Sequence, residues 1–315
     1  MPGHETIKTE IRNFAIELGF AACGFAKAVS LDDHRKPLLD FLDAGFHGEM
    51  AWLARNTEMR TDPRLLVEGA QTVISLLAPY YTPLKPHPAG NPRISRYALG
   101  EDYHKVLRQM GKRLLHFIRE RLDGCQGRFF TDSAPVMERE WARRAGLGWI
   151  GKNGCLINNK EGSWFFIAEI IIDHELAPDQ PASYNHCGNC SRCIDACPTG
   201  ALIGQQRINA SRCISYLTIE HPGDLPKDLR GKWADWIFGC DICQEVCPWN
   251  REPMTTNIER LKPRDYLPDS DAAGLLLMTS EQFDERFCNS PLQRAGFDRL
   301  SRNLTFLEPI EPAVD

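Results

Sequence analysis

Eight of the 12 cysteines in this 315-residue chain fall between Cys187 and Cys247. Cys187, Cys190, Cys193 and Cys197 form one run, closed by Pro198; Cys240, Cys243 and Cys247 form a second, closed by Pro248; Cys213 stands alone between them. A four-iron cluster needs four thiolates converging on a small cuboid. A CxxCxxC loop supplies three of them, and the fourth comes from a Cys-Pro cysteine, which in two-cluster ferredoxins crosses to the other cluster. That rule assigns Cys187, Cys190, Cys193 and Cys247 to one [4Fe–4S] cluster, and Cys240, Cys243, Cys213 and Cys197 to the other.

Zinc is the plainer alternative, because CxxC pairs also build tetrahedral sites without redox chemistry. The spacing argues against it: three CxxC-spaced cysteines followed by x3-C-P appear once in full and once with the first member displaced to Cys213. Disulfides fit less well still. The opening residues MPGHETIKTEIRNF show no basic segment followed by an apolar stretch, so the expectation is a chain whose thiols stay reduced. Cys23, Cys125, Cys155 and Cys288 have no partner motif and read as small buried hydrophobes or inert thiols. No histidine stands at metal-site spacing: His34, His47, His104, His116, His174 and His221 are isolated, and His186 adjoins a cysteine whose cluster is already fully served.

Clusters of this kind only relay electrons, and a two-cluster ferredoxin needs far fewer residues than this chain has. The rest must hold a site where the electrons do chemistry. No G-x-G-x-x-G follows a strand and no Walker A loop appears, so neither a Rossmann dinucleotide site nor a P-loop is supported. The longest apolar runs, Trp164 to Ile172 and Thr72 to Ala78, fall short of the roughly 20 residues a bilayer helix needs. A net charge of -5 argues against a generally basic nucleic-acid coat, though not against a local basic face.

Periodicity supplies the positioning elements. Residues 5 to 19 read as an amphipathic helix ended by Gly19, Ala21 to Ala26 as a strand, and Leu38 to Ala44 as helical. Thr72 to Ala78 and Ser163 to Asp173 read as sheet-centre strands, and Asp102 to Leu122 as a long helix. The rhythm is not that of a doubly wound parallel sheet, and an α+β sandwich fits best. Boundaries near Pro178 and Asn250 divide the chain into 1–178, a cysteine-rich 179–250, and 251–315, where Phe283 to Leu307 suggests short helices.

Beside the cysteines, four segments carry a resemblance: MRTDPRLLVEGAQTVI (59–74), ISRYALGEDYHKVL (94–107), TDSAPVMEREWARRAGLGWIGKNGCLI (131–157) and RCISYLT (212–218). Together they resemble the epoxyqueuosine reductases, a family related to the reductive dehalogenases. The match covers most of residues 1–250. It implies a nitroreductase-like cobalamin-binding domain, a ferredoxin-like two-cluster module and a short helical C-terminal segment. It also implies a cytoplasmic enzyme that removes the epoxide oxygen of epoxyqueuosine at the tRNA wobble position, as the last step of queuosine synthesis. The implied partners are tRNA bearing that base and an external low-potential electron donor, with the chain acting as a monomer and no membrane. Other family members continue into helical repeats. Two alternatives stand beside this reading, a corrinoid-dependent reductive dehalogenase and an electron-transfer ferredoxin subunit.

The resemblance places the proton donor at Asp132 and corrin contacts at Arg60, Ser95, Asp132 and Ser215, through backbone at Leu156 and Ile167, and at Asp241 between two cluster ligands. An epoxide oxygen leaving as alkoxide is a poor leaving group, so a positioned acid is needed. On its own, Asp132 reads as the N-cap of a helix running to Gly146, where the helix dipole favours the ionised carboxylate. A basic face for tRNA is expected either at Arg139, Arg143 and Arg144, or at Lys227, Arg230 and Lys232 beside Trp233 and Trp236, whose rings would stack on unpaired bases.

Overall fold

The computed structural model describes residues 4–84, 91–204, 206–264 and 272–307. Its centre is a four-stranded sheet in the order β1 (Ala22–Lys27), β2 (Thr72–Pro79), β7 (Phe165–Ile172) and β4 (Gly127–Phe130), antiparallel at every pairing. β2 is buried along its whole length, and β7 nearly so, because helices cover both faces. This is why both strands are apolar at nearly every position rather than at alternate ones.

On one face lie helices α1 (His4–Glu17) and α4 (Tyr103–Arg121). α1 presents Ile7, Ile11 and Ala15 at helical spacing, and α4 presents Leu107, Met110, Leu114 and Ile118. Asp102 caps α4, its side chain accepting the His104 N–H at 3.0 Å. Gly111 lies mid-helix because a Cβ there would meet the Phe129 ring of β4 at 2.0 Å. The other face carries α5 (Glu138–Arg144) with Trp141, Ala142 and Ala145, together with Leu156 from the short hairpin of β5 (Trp149–Ile150) and β6 (Leu156–Ile157).

The long elements form where periodicity places them, and local chemistry moves their ends. The expected helix from residue 38 begins at Asp32 and accommodates Pro37 in its second turn. The helix expected from Asp132 to Gly146 is confined to Glu138–Arg144. Asp132 is not its N-cap: its φ is +54°, the left-handed region, and its backbone N–H donates to the Glu138 carboxylate at 2.5 Å.

The cysteine-rich segment docks on this sandwich through one-turn helices. α6 (Arg192–Asp195) packs against α8 (Ile242–Glu245), and α7 (Ile214–Ile219) starts at Cys213. The segments interlock: β3 (Arg93–Ile94) pairs in parallel with β8 (Trp236–Phe238). The C-terminal residues form α10 (Ser280–Arg286), opened by a Thr279–Gln282 capping box, and α11 (Phe297–Phe306). On α11, Asn303 is fully buried and donates to the carbonyls of Thr218 and Ile237 at 2.9 and 2.8 Å, while Arg302 ties down those of Leu217, His221 and Gly223. This segment is therefore part of the wall around the module.

Candidate functional site: a cluster module facing an acid centre

Several module cysteines act on one another electrostatically. Burial raises Cys193 and Cys247; besides it, Cys193 is raised by the charges of Cys187 and Cys247, and Cys247 by those of Cys187 and Cys190. Cys240 is raised by Cys213 and Cys197, and Cys243 by Cys240 and Cys213 as well as by Cys155. These neighbours are compatible with the partition expected from the crossing rule. Among the described residues only Cys125, Asp173 and His174 bring three ligand atoms within 4.8 Å of one another. No three of the eight sulfurs converge that closely, whereas Zn–S bonds of about 2.3 Å would hold them about 3.8 Å apart. The wider spacing suits a cuboid.

The module is fastened to the sheet domain by Lys152, whose ammonium donates to the carbonyls of Gly188 and Cys190 at 2.7 and 2.9 Å, beside two ligands of the first cluster. His186 is a packing residue: its ring lies 4.9 Å from Trp149 and 5.4 Å from Trp249. His174, isolated in sequence, meets Cys125 and Asp173 at the opposite end of β4 and β7 from Asp132. There Asp173 accepts from the Gln126 N–H at 2.8 Å and pairs with the His174 ring at 2.8 Å, which ties the two strand ends together.

Asp132 is the centre of a polar network assembled from three distant segments. Its Oδ2 accepts from the Tyr103 hydroxyl at 2.9 Å and lies 3.0 Å from His104 Nε2 and 3.2 Å from Arg294 Nη1. His104 is held from behind by Asp102, 2.8 Å from Nδ1. Burial disfavours charge on His104, but the two carboxylates outweigh it and push its pKa up to about 9, so it is an imidazolium at neutral pH. Burial likewise opposes the charge on Asp132; hydrogen bonds from His104 and Tyr103 and the charge of Arg294 win, holding its carboxyl below the usual range.

Next to this ionised carboxylate stands a neutral one. Burial, followed by the Asp132 charge, pushes Glu138 up to about 8. Glu169 on β7 is completely buried; it lies directly across from Ser75, and neither its two oxygens nor the Ser75 hydroxyl has a hydrogen-bond partner among the described residues. Burial raises it far above the carboxylate range, and ionisation of Glu138 would raise it further, so Glu169 carries a proton.

The remaining expected site residues fall into three places. Ser95 and Asp241 come together: the Ser95 hydroxyl donates to Asp241, whose second oxygen accepts from the Arg96 N–H at 2.8 Å. Burial raises Asp241 to about 6, against those two hydrogen bonds. Ile167 lies beside the acid centre, its carbonyl accepting from the Thr131 hydroxyl at 3.1 Å, and Leu156 belongs to the core of the second sheet face. Arg60 lies over the Trp52 ring at 5.3 Å and donates to the Trp52 carbonyl, while its buried Nε has no partner among the described residues. This arm reaches Ser215 indirectly, through the Glu49 N–H donating to the hydroxyl of Tyr216 at 2.7 Å.

The two expected basic faces differ in the structure. Arg143 and Arg144 neutralise the buried Glu140, at 2.7 and 2.9 Å, with His34 at 3.2 Å, and Arg139 donates to the Gly154 carbonyl. Trp233 and Trp236 are each 1% exposed, in a core that also holds Leu229 and Phe306 and against which Cys213 and Cys240 pack. They roof the second cluster and cannot stack on a base. Lys227, Arg230 and Lys232 remain exposed. Arg294 was missed altogether. Nothing local marks it, because its partners Asp132 and Glu220 lie 162 and 74 positions earlier in the chain.

A two-cluster electron relay built into the same wall as a polar acid centre defines an iron–sulfur oxidoreductase. Residues 186–250 match the family model of the 4Fe-4S double cluster binding domain, and residues 60–133 match that described as Epoxyqueuosine reductase QueG, DUF1730. The epoxyqueuosine reductase of Cyclobacterium marinum is 44% identical over 299 residues, 95% of this chain and 96% of that one. The structure of epoxyqueuosine reductase from Bacillus subtilis with its catalytic aspartate loop swung out of the active site is similar at a TM-score of 0.88 and 28% identity, covering 96% of this chain and 81% of that one. A crystal structure of an epoxyqueuosine reductase with an epoxyqueuosine-modified tRNA-Tyr stem loop is similar at 0.87 and 29%, with the same coverage. The chain belongs to the epoxyqueuosine reductases, and its two clusters are of the 4Fe-4S type.

Proposed function

We propose that this oxidoreductase converts epoxyqueuosine to queuosine in tRNA, with electrons entering from an external low-potential donor, passing through the two clusters, and meeting a proton delivered by Asp132. The carrying observation is the bridge made by Arg294. It contacts Asp132 at 3.2 Å and Glu220 at 3.1 Å, and Glu220 ends α7, the helix that starts at the cluster ligand Cys213. Electron delivery and proton delivery thus face one space. tRNA as substrate locates the reaction in the cytoplasm, and no helix among the described residues is long and apolar enough to cross a membrane.

Cobalamin fits the residues present. Arg60 offers a buried Nε donor without a partner among the described residues beside the exposed ring of Trp52, a combination suited to a large amide-fringed macrocycle. On this reading residues 1–178 are the nitroreductase-like corrin-binding domain, with Arg60, Ser215, the Ser95–Asp241 pair and the backbone at Leu156 and Ile167 forming the holding set. Residues 179–250 are the ferredoxin-like module, and residues 251–315 close the site. When bound, cobalamin supplies a strongly reducing cobalt centre.

The chain's own residues do the rest. Tyr103, His104 and Arg294 fix the carboxyl of Asp132 in one place. Three donors on one carboxylate keep it ionised while the site is open; a substrate that excludes water and draws Arg294 away raises its pKa and permits protonation of the departing oxygen. Reconstituted enzyme incubated anaerobically with reductant and epoxyqueuosine-bearing tRNA should yield queuosine-tRNA. Dehalogenation of an aryl halide without tRNA conversion would overturn the assignment.

A further inference from the structure

Deoxygenating an epoxide takes more than one proton. Two C–O bonds break, a C=C bond forms, two electrons enter, and the oxygen leaves as water, which consumes two protons. Asp132 holds at most one at a time, and in the open site its three partners keep it ionised. A second acid is required within reach.

We propose that Glu138, backed by Glu169, is the proton reserve that recharges Asp132. The geometry is specific. Glu138 opens α5, and its Oε1 accepts the backbone N–H of Asp132 at 2.5 Å, so its carboxyl is tied to the backbone of the residue it would recharge. Glu169 is fully buried on the adjacent strand with both oxygens unpartnered among the described residues, an arrangement tolerable only for a protonated carboxyl. The charged groups acting on Glu138 are Asp132, Arg139, His104 and Glu169, and the two cations do not outweigh its burial. Neighbouring acids whose environments push their pKa values apart mark the two ends of a proton transfer. Here Asp132, the member with the lowered pKa, is exposed, and Glu138, the member with the raised one, is half-buried behind it. After Asp132 gives its proton to the epoxide oxygen, the Glu138 O–H passes one to the Asp132 carboxylate, and solvent water reprotonates Glu138.

This inference rests on Asp132 as proton donor, and its test separates the two. Holoenzyme loaded with cobalamin and both clusters would be assayed over many turnovers with dithionite and an epoxyqueuosine-bearing tRNA stem loop, from pH 6 to 9. In Glu138→Gln the amide oxygen still accepts the Asp132 N–H but cannot relay a proton. The expectation is a kcat lowered by about tenfold or more with KM unchanged, and loss of the fall in rate that wild type shows above about pH 8. Glu138→Asp should keep that basic limb but shift its midpoint. A wild-type rate and limb in Glu138→Gln would overturn the proposal; so would an unshifted limb in Glu138→Asp, which decides alone if Glu138→Gln fails to load its clusters. An inactive Asp132→Asn beside an unaffected Glu138→Gln removes Glu138 only, whereas an active Asp132→Asn removes the donor reading as well.

Discussion

The cluster module and the acid centre face the same space, yet they are built on opposite plans. The module takes its eight ligands from 61 consecutive residues, Cys187 to Cys247, through loops of two and three residues and one-turn helices. The acid centre takes Asp102, Tyr103 and His104 from α4, Asp132 from the loop after β4, Glu138 from α5, Glu169 from β7 and Arg294 from the C-terminal segment. A cluster requires a fixed ligand count at short spacing, so its geometry is carried by the chain locally. A proton-transfer site requires only that dissimilar charges meet in a poorly hydrated place, which any set of remote segments can arrange.

The largest effect expected from this contrast is on the module. Cys213→Ser removes a cluster ligand with no local substitute; iron should fall from about eight to about four per chain, and turnover should be abolished. Iron analysis of anaerobically purified protein checks it, and a full iron complement would remove Cys213 from the proposed ligands.

At the acid centre, Asp132→Asn should retain iron and cobalamin and lose about 100-fold or more in kcat. Wild-type turnover would remove Asp132 from the chemistry. The two plans separate cleanly only if each substitution spares the other region's cofactor content.

His104 provides a stability signature. Its folded pKa of about 9 lies above the unfolded value of 6.5, so its contribution is fully present below pH 6.5 and is lost as pH rises through 9. After discounting for solvent screening, that is on the order of 2 kcal/mol. Melting temperatures measured from pH 6 to 9.5 should fall more steeply for wild type than for His104→Gln. Parallel curves would show that the imidazolium is not held as described.

The smallest effect concerns tRNA. Replacing Lys227, Arg230 and Lys232 by Ala should weaken tRNA binding modestly and flatten its salt dependence, by about 0.7 in slope for each lost phosphate contact. An unchanged slope would move the tRNA face elsewhere.

Much was legible in the chain. The strands β2 and β7 and helix α4 form within a residue or two of their periodic signals, because long apolar runs leave little choice of partner. α5 was misjudged because Asp132 looks like a helix cap in isolation, while the left-handed turn that displaces it exists only once Glu138 accepts its N–H. Trp233 and Trp236 show the same limit: their composition suits base stacking, and their burial rules it out.

The sequence alone determined the redox equipment. Thiolate count and spacing cannot be satisfied in many ways, and cluster type and family follow from them. Only the tertiary structure decided how the acids are charged. Ionisation depends on burial and on which distant cations arrive, and that is why Asp132 is held below the usual carboxylate range, Glu138 and Glu169 are pushed above it, and Arg294 belongs to the site.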